Sequence, residues 1–391
     1  MKIGIYGGTF DPPHMGHMKA AQGAITLLGL DKLILIPAKQ PPHKDLPAGG
    51  ATPEQRLEMT QLMADGLLLP GKVEVSDIEL HREGKSYTVD TLRLLKEKYP
   101  ADELWLLLGT DMFMTVQNWH EAARLMEMAS LAGFARTESD SGEMLEIQGK
   151  FLSEKYGAKV CIVQLPELCE MSSTEVRSRG TGEGLWPAVW GYILRSGLYG
   201  TSGKLKGLNT DDLRAVSESM IRAKRIAHVR GAEAESVRLA QCWGANEEDA
   251  QRAAILHDCT KYLSLEEHLE ICDRYQVSLD DMERTAPKLL HSKSAAALAE
   301  HVFGENKQVC QAICWHTTGK ANMTLLEKIL YVADYMEPTR DFEGVEDLHD
   351  LAYTDLNAAV LLGTEMCVEE MSRWGNPVHP NTLAARDFLK G

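Results

Sequence analysis

The sequence predicts an α/β first half built on a doubly wound parallel sheet, followed by an all-helical second half. Three observations carry this reading. Short β-type runs alternate with amphipathic helical stretches over roughly the first 200 residues. Strand signals then stop, and periodic apolar helices run almost to the end. Between the two lies TSGKLKGLN, a small, polar stretch with two glycines. At 391 residues the chain is also too long for one ordinary core. The expected division is residues 1–200, a linker at 201–209, and a second domain at 210–391, with Thr210 or Asp211 as the next helix N-cap.

The strand candidates in order are KIGIYG, DKLILIPA, KVEVSDIEL, ELWLLLG, ASLAGFAR and KVCIVQLP. Helical patterns fall between most of them, around His17–Leu28, Pro53–Leu67, Thr88–Lys98 and His120–Met126. Such alternation places ligands at the carboxyl ends of the strands. The net charge of −16 is shared by both halves and no long Lys/Arg run interrupts it, which argues against nucleic acid as a partner. Small phosphorylated ligands stay open, because local donors and metals overcome an unfavourable overall field. The opening MKIGIYGG reads as a strand and glycine turn, and no apolar run reaches membrane-spanning length. The expectation is a cytoplasmic protein that does not engage membranes. Most of the eight cysteines sit in apolar runs, and Cys310 and Cys314 share a helix face; they read as buried free thiols. A homo-oligomer is compatible with all of this and defined by none of it.

The first chemistry-bearing stretch is GGTFDPPHMGH. Gly7 and Gly8 after the first strand let backbone approach a phosphate closely. Asp11, Pro12 and Pro13 stiffen the entry to a helix, where His14 and His17 point the same way. Two imidazoles beside a helix N-terminus form a donor cluster for a polyphosphate. This stretch resembles the signature of the nucleotidyltransferase superfamily, and MSSTEVR (Met171 to Arg177) resembles its second motif with Met in place of Ile. H-x-G-H preceded by Pro-Pro narrows the resemblance to nicotinate-mononucleotide adenylyltransferase. PPHK, GKSYTVDTL and LGTDMF with Trp119 downstream support the same narrowing over about Met1 to Gly200.

The resemblance implies transfer of AMP from ATP, with Mg²⁺, to nicotinate mononucleotide. ATP would lie on Gly8, Thr9, Phe10, His14, His17, Gly109, Asp111, Ser172, Ser173 and Arg177, with His14, His17 and Arg177 acting on the phosphates. The acceptor would meet Lys44, Thr88, Trp119 and Arg136. Arg136 stands in ARTES, where family members often carry R-P-G, and is carried over more weakly. Nicotinamide mononucleotide is the alternative acceptor.

The second stretch is AAILHDCTKYL, where His257 and Asp258 interrupt an apolar helical run. Burying that pair is costly unless something binds it. His228, His291, His316 and Asp334 stand in or beside further apolar helical runs. A shared metal cluster would satisfy all six, and imidazole with carboxylate suits Fe, Mn or Zn. The order H…HD…H…H…D resembles the HD-domain phosphohydrolases. HDCTK, LLH, CWHTTGK and ADYMEPTRDF narrow it to the bacterial symmetrical diadenosine-tetraphosphate hydrolases, over about Asp211 to Trp374. The resemblance implies two divalent metals, most readily iron, bridged by Asp258. It implies phosphate contacts from Lys261, Thr317 and Arg340, and cleavage of diadenosine tetraphosphate into two ADP. A hydrolase for another nucleotide, or a metal-bound nucleotide sensor, is the alternative. The chain thus reads as bifunctional. Residues 375–391 suggest a turn and one short helix, with no assignable chemistry.

Overall fold

The six β-type runs form six strands: β1 (Lys2–Gly8), β2 (Lys32–Pro37), β3 (Val73–Val75), β4 (Glu103–Gly109), β5 (Ser130–Phe134) and β6 (Val160–Val163). The computed structural model describes residues 1–42, 50–135, 142–165 and 171–391. Every strand pair is parallel, in the order β3-β2-β1-β4-β5-β6. Strand side chains alternate between faces, so each run supplies two cores. Leu33 and Leu35 join one apolar cluster with Leu107 and Ala132. Ile34 and Ile36 join the opposite one with Ile3, Ile5, Leu106 and Leu108.

Helices cover both faces. The first cluster takes in α1 (Met15–Leu27), α2 (Pro53–Asp65), α7 (Ser173–Arg179) and α8 (Pro187–Ser196). The second takes in α3 (Thr88–Lys98), α4 (Thr110–Phe113), α5 (Ala122–Met128) and α6 (Gly142–Tyr156). The order reverses between β1 and β4, which opens a crevice at their carboxyl ends. Helix starts differ from the periodicity where caps intervene. α1 begins at Met15, because His14 in extended backbone caps it. α5 begins only at Ala122, after Glu121 takes a left-handed φ of 50°.

Contacts divide the chain into two units, Met1–Gly203 and Lys204–Gly391. The second unit has ten α-helices among the described residues. They are α9 (Thr210–Glu218), α10 (Ala223–Trp243), α11 (Glu247–Leu256), α12 (Leu265–Arg274) and α13 (Pro287–Leu298). After these come α14 (Lys307–Trp315), α15 (Leu325–Met336), α16 (Val345–Thr354), α17 (Leu356–Arg373) and α18 (Pro380–Lys390). The cap of α9 is Asn209, one residue before the expected position; its side chain accepts from the Asp212 N–H at 2.9 Å. The C-terminal stretch folds as α18. His379 caps it through Nδ1, and its Nε2 lies 2.9 Å from Asp280. Cys259, Cys272 and Cys310 are buried free thiols, whereas Cys242 is exposed, because its helix position faces solvent. No helix is long and apolar enough to cross a membrane among the described residues.

One buried cation holds the loop after β1 to the sheet. Arg56 of α2 is fully buried and donates to the carbonyls of Thr9 (2.7 Å), Ala38 (2.6 Å) and Lys39 (3.1 Å). Burial pulls its pKa below the ordinary arginine value, opposed by the charge of Asp11. Arg56→Met would leave these carbonyls without their donor at little change in volume. The expected loss is ~3 kcal/mol of stability, checked by urea denaturation of the full chain.

Candidate functional site

The crevice at the β1–β4 reversal is a cavity of about 480 Å³. Its walls include Gly8, Thr9, Phe10, His17, Thr88, Gly109, Asp111, Trp119, Ser172 and Ser173, ten of the fourteen residues expected to bind nucleotide there. Lys44 and Arg136 lie outside the described residues. His14 and Arg177 are beside the cavity but not in its lining. Arg177 is turned onto the loop, donating to the Asp11 carbonyl and, at 3.1 Å, to Thr174 Oγ1. Its nearest carboxylate is Asp11, 3.6 Å away. Asp11 in turn accepts from the Tyr199 hydroxyl at 2.6 Å.

The histidine pair is set by the helix start. His14 Nδ1 accepts from the Gly16 N–H at 3.2 Å, and His17 Nδ1 accepts from the His14 N–H at 3.2 Å. With Nδ1 an acceptor in both, the neutral rings carry their protons on Nε2 and are hydrogen-bond donors there. The rings lie 3.8 Å apart. Phe10 is buried with φ of 49°, and its ring comes so close to Gly8 that a Cβ there would meet it at 3.0 Å. A side chain at position 8 would thus require the Phe10 ring to give way by a few tenths of an ångström. α7 adds a second helix N-terminus, capped by Ser172 and joined to the loop by the Ser173 hydroxyl on the Pro12 carbonyl at 3.0 Å. The cavity thus has a polar end of backbone N–H groups, hydroxyls and imidazole, and an aromatic end with Tyr87, Trp119 and His120. Arg56 and Tyr199, which hold the loop, were missed in the sequence. Neither carries a motif; their role depends on contacts 47 and 188 residues away in the chain.

In the second unit the six expected ligands converge. Asp258 is central: its Oδ1 lies 3.2 Å from His291 Nε2 and 4.0 Å from His316 Nε2, and its Oδ2 3.6 Å from His257 Nε2 and 3.7 Å from His228 Nε2. Asp334 Oδ1 lies 2.9 Å from His228 Nε2 and 3.7 Å from His257 Nε2. Two overlapping sets, His228–His257–Asp334 and His257–Asp258–His316, sharing His257, each bring three ligand atoms within 4.8 Å of one another, close enough to hold a metal ion. The histidines are oriented from behind. His257 Nδ1 faces the Ala254 carbonyl, His291 Nδ1 that of Lys288, and His316 Nδ1 that of Ile313, at 2.6, 2.7 and 2.7 Å. Each therefore turns Nε2 inward. His257 Nε2, His228 Nε2 and Asp258 Oδ1 are buried there without a well-formed hydrogen bond among the described residues.

The electrostatics suit cation binding. Burial opposes ionisation of Asp258 and Asp334, yet the surrounding imidazoles hold both well below the ordinary carboxylate range. Burial, reinforced by His291 and His257, keeps His316 well below the usual imidazole pKa, and burial lowers His291 too. His257 is the exception: burial opposes its charge, yet Asp258 and Asp334 hold it above the ordinary imidazole value, so a divalent metal, which takes ionised carboxylates and neutral imidazoles, would displace its proton. Lys261 Nζ lies 3.4 Å from Asp258, Thr317 Oγ1 3.3 Å from His316 Nε2, and Arg340 3.1 Å from Asp334. Two residues were missed in the sequence. Glu337 is buried with Oε1 2.9 Å from His228 Nδ1, and Arg225 donates to Asp258 at 2.6 Å. Both were legible by spacing, each three residues along a helical stretch from a predicted ligand (Asp334, His228).

The cytidylyltransferase-like family model matches residues 5–179, and the HD domain model residues 225–339. A probable nicotinate-nucleotide adenylyltransferase from Listeria monocytogenes is 35% identical over 201 residues, 51% of this chain and 97% of its own length. One from Gloeobacter violaceus is 38% identical over 205 residues, 51% of this chain and 96% of its own. The first half of the chain belongs to the nicotinate-nucleotide adenylyltransferase family. A solved nicotinic acid mononucleotide adenylyltransferase from Plasmodium falciparum is 21% identical, over 51% of this chain and 96% of that one, with a TM-score of 0.42. A predicted HD superfamily hydrolase involved in NAD metabolism, from Clostridium acetobutylicum, is 37% identical over 47% of this chain and 97% of that one, with a TM-score of 0.46. In this adenylyltransferase-family chain, the cavity lies within the first matched segment and all six convergent ligands within the second.

Two predictions follow the geometry of the second site. Glu337→Gln keeps the shape but weakens the charge behind His228; metal affinity is expected to fall about 10–100-fold, read by titrating chelator-treated protein with Mn²⁺. His268 is buried beside Ser294, whose hydroxyl reaches Thr260, which holds the His291 carbonyl, each step 2.8 Å. Burial lowers its pKa to about 4. The unfolded chain therefore binds the proton more readily, and stability is lost as pH falls from the unfolded value near 6.5 toward 4. Wild type should lose roughly 1–2 kcal/mol more than His268→Gln between pH 7 and 5, measured by denaturation at both values.

Proposed function

We propose that the first unit transfers AMP from ATP to nicotinate mononucleotide, and that the helical unit hydrolyses diadenosine tetraphosphate symmetrically to two ADP. The observation that supports the first activity best is the division of one cavity into a donor-rich end and an aromatic end at the reversal of strand order. A phosphate oxygen of the mononucleotide attacks the α-phosphorus of ATP; the new P–O bond joins the two nucleotides, and the bond to pyrophosphate breaks. No side chain becomes covalently attached, so the residues act by positioning and by stabilising charge. The Gly8–Phe10 backbone, His17 and the Ser172–Ser173 helix start grip the phosphates, with His14 fixing the helix start beneath them. Mg²⁺ entering with ATP would share the phosphate charge. Trp119 gives the pyridine ring a stacking face, and Thr88 backbone takes the ring carboxylate.

For the second activity, the support is convergence of four imidazoles and two carboxylates on one buried centre. His228, His257, Asp258, His291, His316 and Asp334 would hold two divalent metals, which when bound supply Lewis-acid charge and lower the pKa of an attacking water. Lys261, Thr317 and Arg340 bind the phosphate chain. Asp258 holds the centre together and Glu337 fixes the His228 ring.

Both activities are tested on one preparation. Wild-type protein with ATP, Mg²⁺ and nicotinate mononucleotide should give nicotinate adenine dinucleotide; with diadenosine tetraphosphate and Mn²⁺ or Fe²⁺ it should give ADP alone, lost on chelation. His17→Ala should lower adenylyl-transfer kcat by about 10²–10³ and spare hydrolysis. Asp258→Asn should abolish hydrolysis and spare adenylyl transfer. ATP plus AMP from diadenosine tetraphosphate would overturn the symmetrical cut. Faster turnover of nicotinamide mononucleotide than of nicotinate mononucleotide would overturn the acceptor assignment.

A further inference from the structure

The aromatic end of the cavity holds one acidic side chain that the proposed chemistry leaves without a role. Glu79 lies in the loop after β3, is 7% exposed, and contributes to the cavity wall. The Thr91 hydroxyl, on the first turns of α3, donates to its Oε1 at 2.6 Å. Ser86, just before the same helix, lines the cavity with it and accepts from the Gln40 N–H at 3.3 Å. Glu79 is therefore tied to the start of α3 through Thr91, whose hydroxyl also lies 3.4 Å from the Tyr87 carbonyl.

That helix start needs external support. Its N-cap is Tyr87, whose side chain makes no capping hydrogen bond. The first-turn N–H groups are thus oriented by what holds the backbone around them. Arg82, from the same loop as Glu79, adds two bonds, to Thr91 Oγ1 at 3.1 Å and Asp90 Oδ2 at 2.8 Å. On the outer side the Tyr87 ring meets His120 at 4.5 Å, next to Trp119. Movement of Tyr87 consequently shifts both the backbone at Thr88 and the wall carrying Trp119. The polar end, by contrast, is held by Arg56, Tyr199 and the caps of α1 and α7, none of which touches Glu79.

We propose that Glu79 is a positioning residue for the acceptor half of the cavity: by holding Thr91 it aims the Tyr87–Thr88 backbone at the ring carboxylate of the acceptor mononucleotide. The inference rests on the proposed adenylyl transfer and adds to it the residue that sets acceptor affinity independently of ATP. An acceptor oxygen at this position is what the clamp requires, so glutamine should serve where alanine fails. Removing the partner hydroxyl in Thr91→Val should reproduce the loss from the other side of the bond.

The test uses the full chain and measures KM and kcat for each substrate, together with binding of nicotinate mononucleotide and of ATP by calorimetry. Glu79→Ala and Thr91→Val are expected to raise KM and Kd for nicotinate mononucleotide about tenfold, with kcat and both ATP constants within about twofold. Glu79→Gln is expected to stay within about threefold of wild type throughout. Unchanged acceptor constants in Glu79→Ala would overturn the inference. So would a parallel loss for both substrates with a lowered Tm, which is the mark of an ordinary structural role. Wild-type protein that binds neither substrate would instead sink the adenylyl-transfer reading, and this inference with it.

Discussion

A charge or hydrogen-bonding group removed from water must be given a partner, and both sites are built around that constraint. In the first unit it is met by Arg56, whose guanidinium sits without solvent contact and collects three carbonyls from two segments. Those segments are the loop after β1 and the end of β2, so the cation holds the first loop at the mouth of the sheet. In the second unit Asp258 is fully buried and is surrounded by imidazoles and cations. Carbonyl acceptors around Arg56, and imidazoles and cations around Asp258, offset desolvation, and in each the arrangement leaves polar groups facing a common point.

The two units reach this by different routes. A parallel sheet collects its loops at one edge, and reversal of strand order parts two of them, so a cavity follows from topology before any side chain is chosen. Its chemistry is largely backbone: N–H groups of the turn and of two helix starts, with hydroxyls and imidazole added. The helical unit has no such edge. Its centre is assembled from side chains contributed by α10, α13 and α15 and by the residues just after α11 and α14. Three of its histidines are oriented by carbonyls three residues back on their own helical turns, so Nε2 points inward without help from other elements. His228 is the exception; it is turned by Glu337 from α15's end, and so depends on the packing of two helices.

Periodicity and local chemistry made much of this legible. The six strands, the boundary region and every proposed metal ligand are visible as patterns, because alternation, helical spacing and misplaced polar residues leave a mark on the local sequence. Motif positions such as Gly8, His17 and Ser172 were legible for the same reason. Arg56 looks like any arginine in an amphipathic helix, and Glu79 like any loop acid. Nothing within a few residues of either records what it touches. Arg177 is a motif position whose own contacts only the structure shows. Its motif pointed to the phosphates, while in the structure its guanidinium lies on the Asp11 carbonyl.

What the sequence by itself determined is the alternation that makes a doubly wound sheet, the switch to helices, and the types of donor brought to each site. These follow from local periodicity and from the cost of burying polar groups alone. Only the tertiary structure decided which donors meet. It placed Asp258 among four imidazoles, sent Arg177 to the loop, and set Glu79 against Thr91. Such pairings depend on distances between residues remote in the chain, and local sequence carries no measure of those distances.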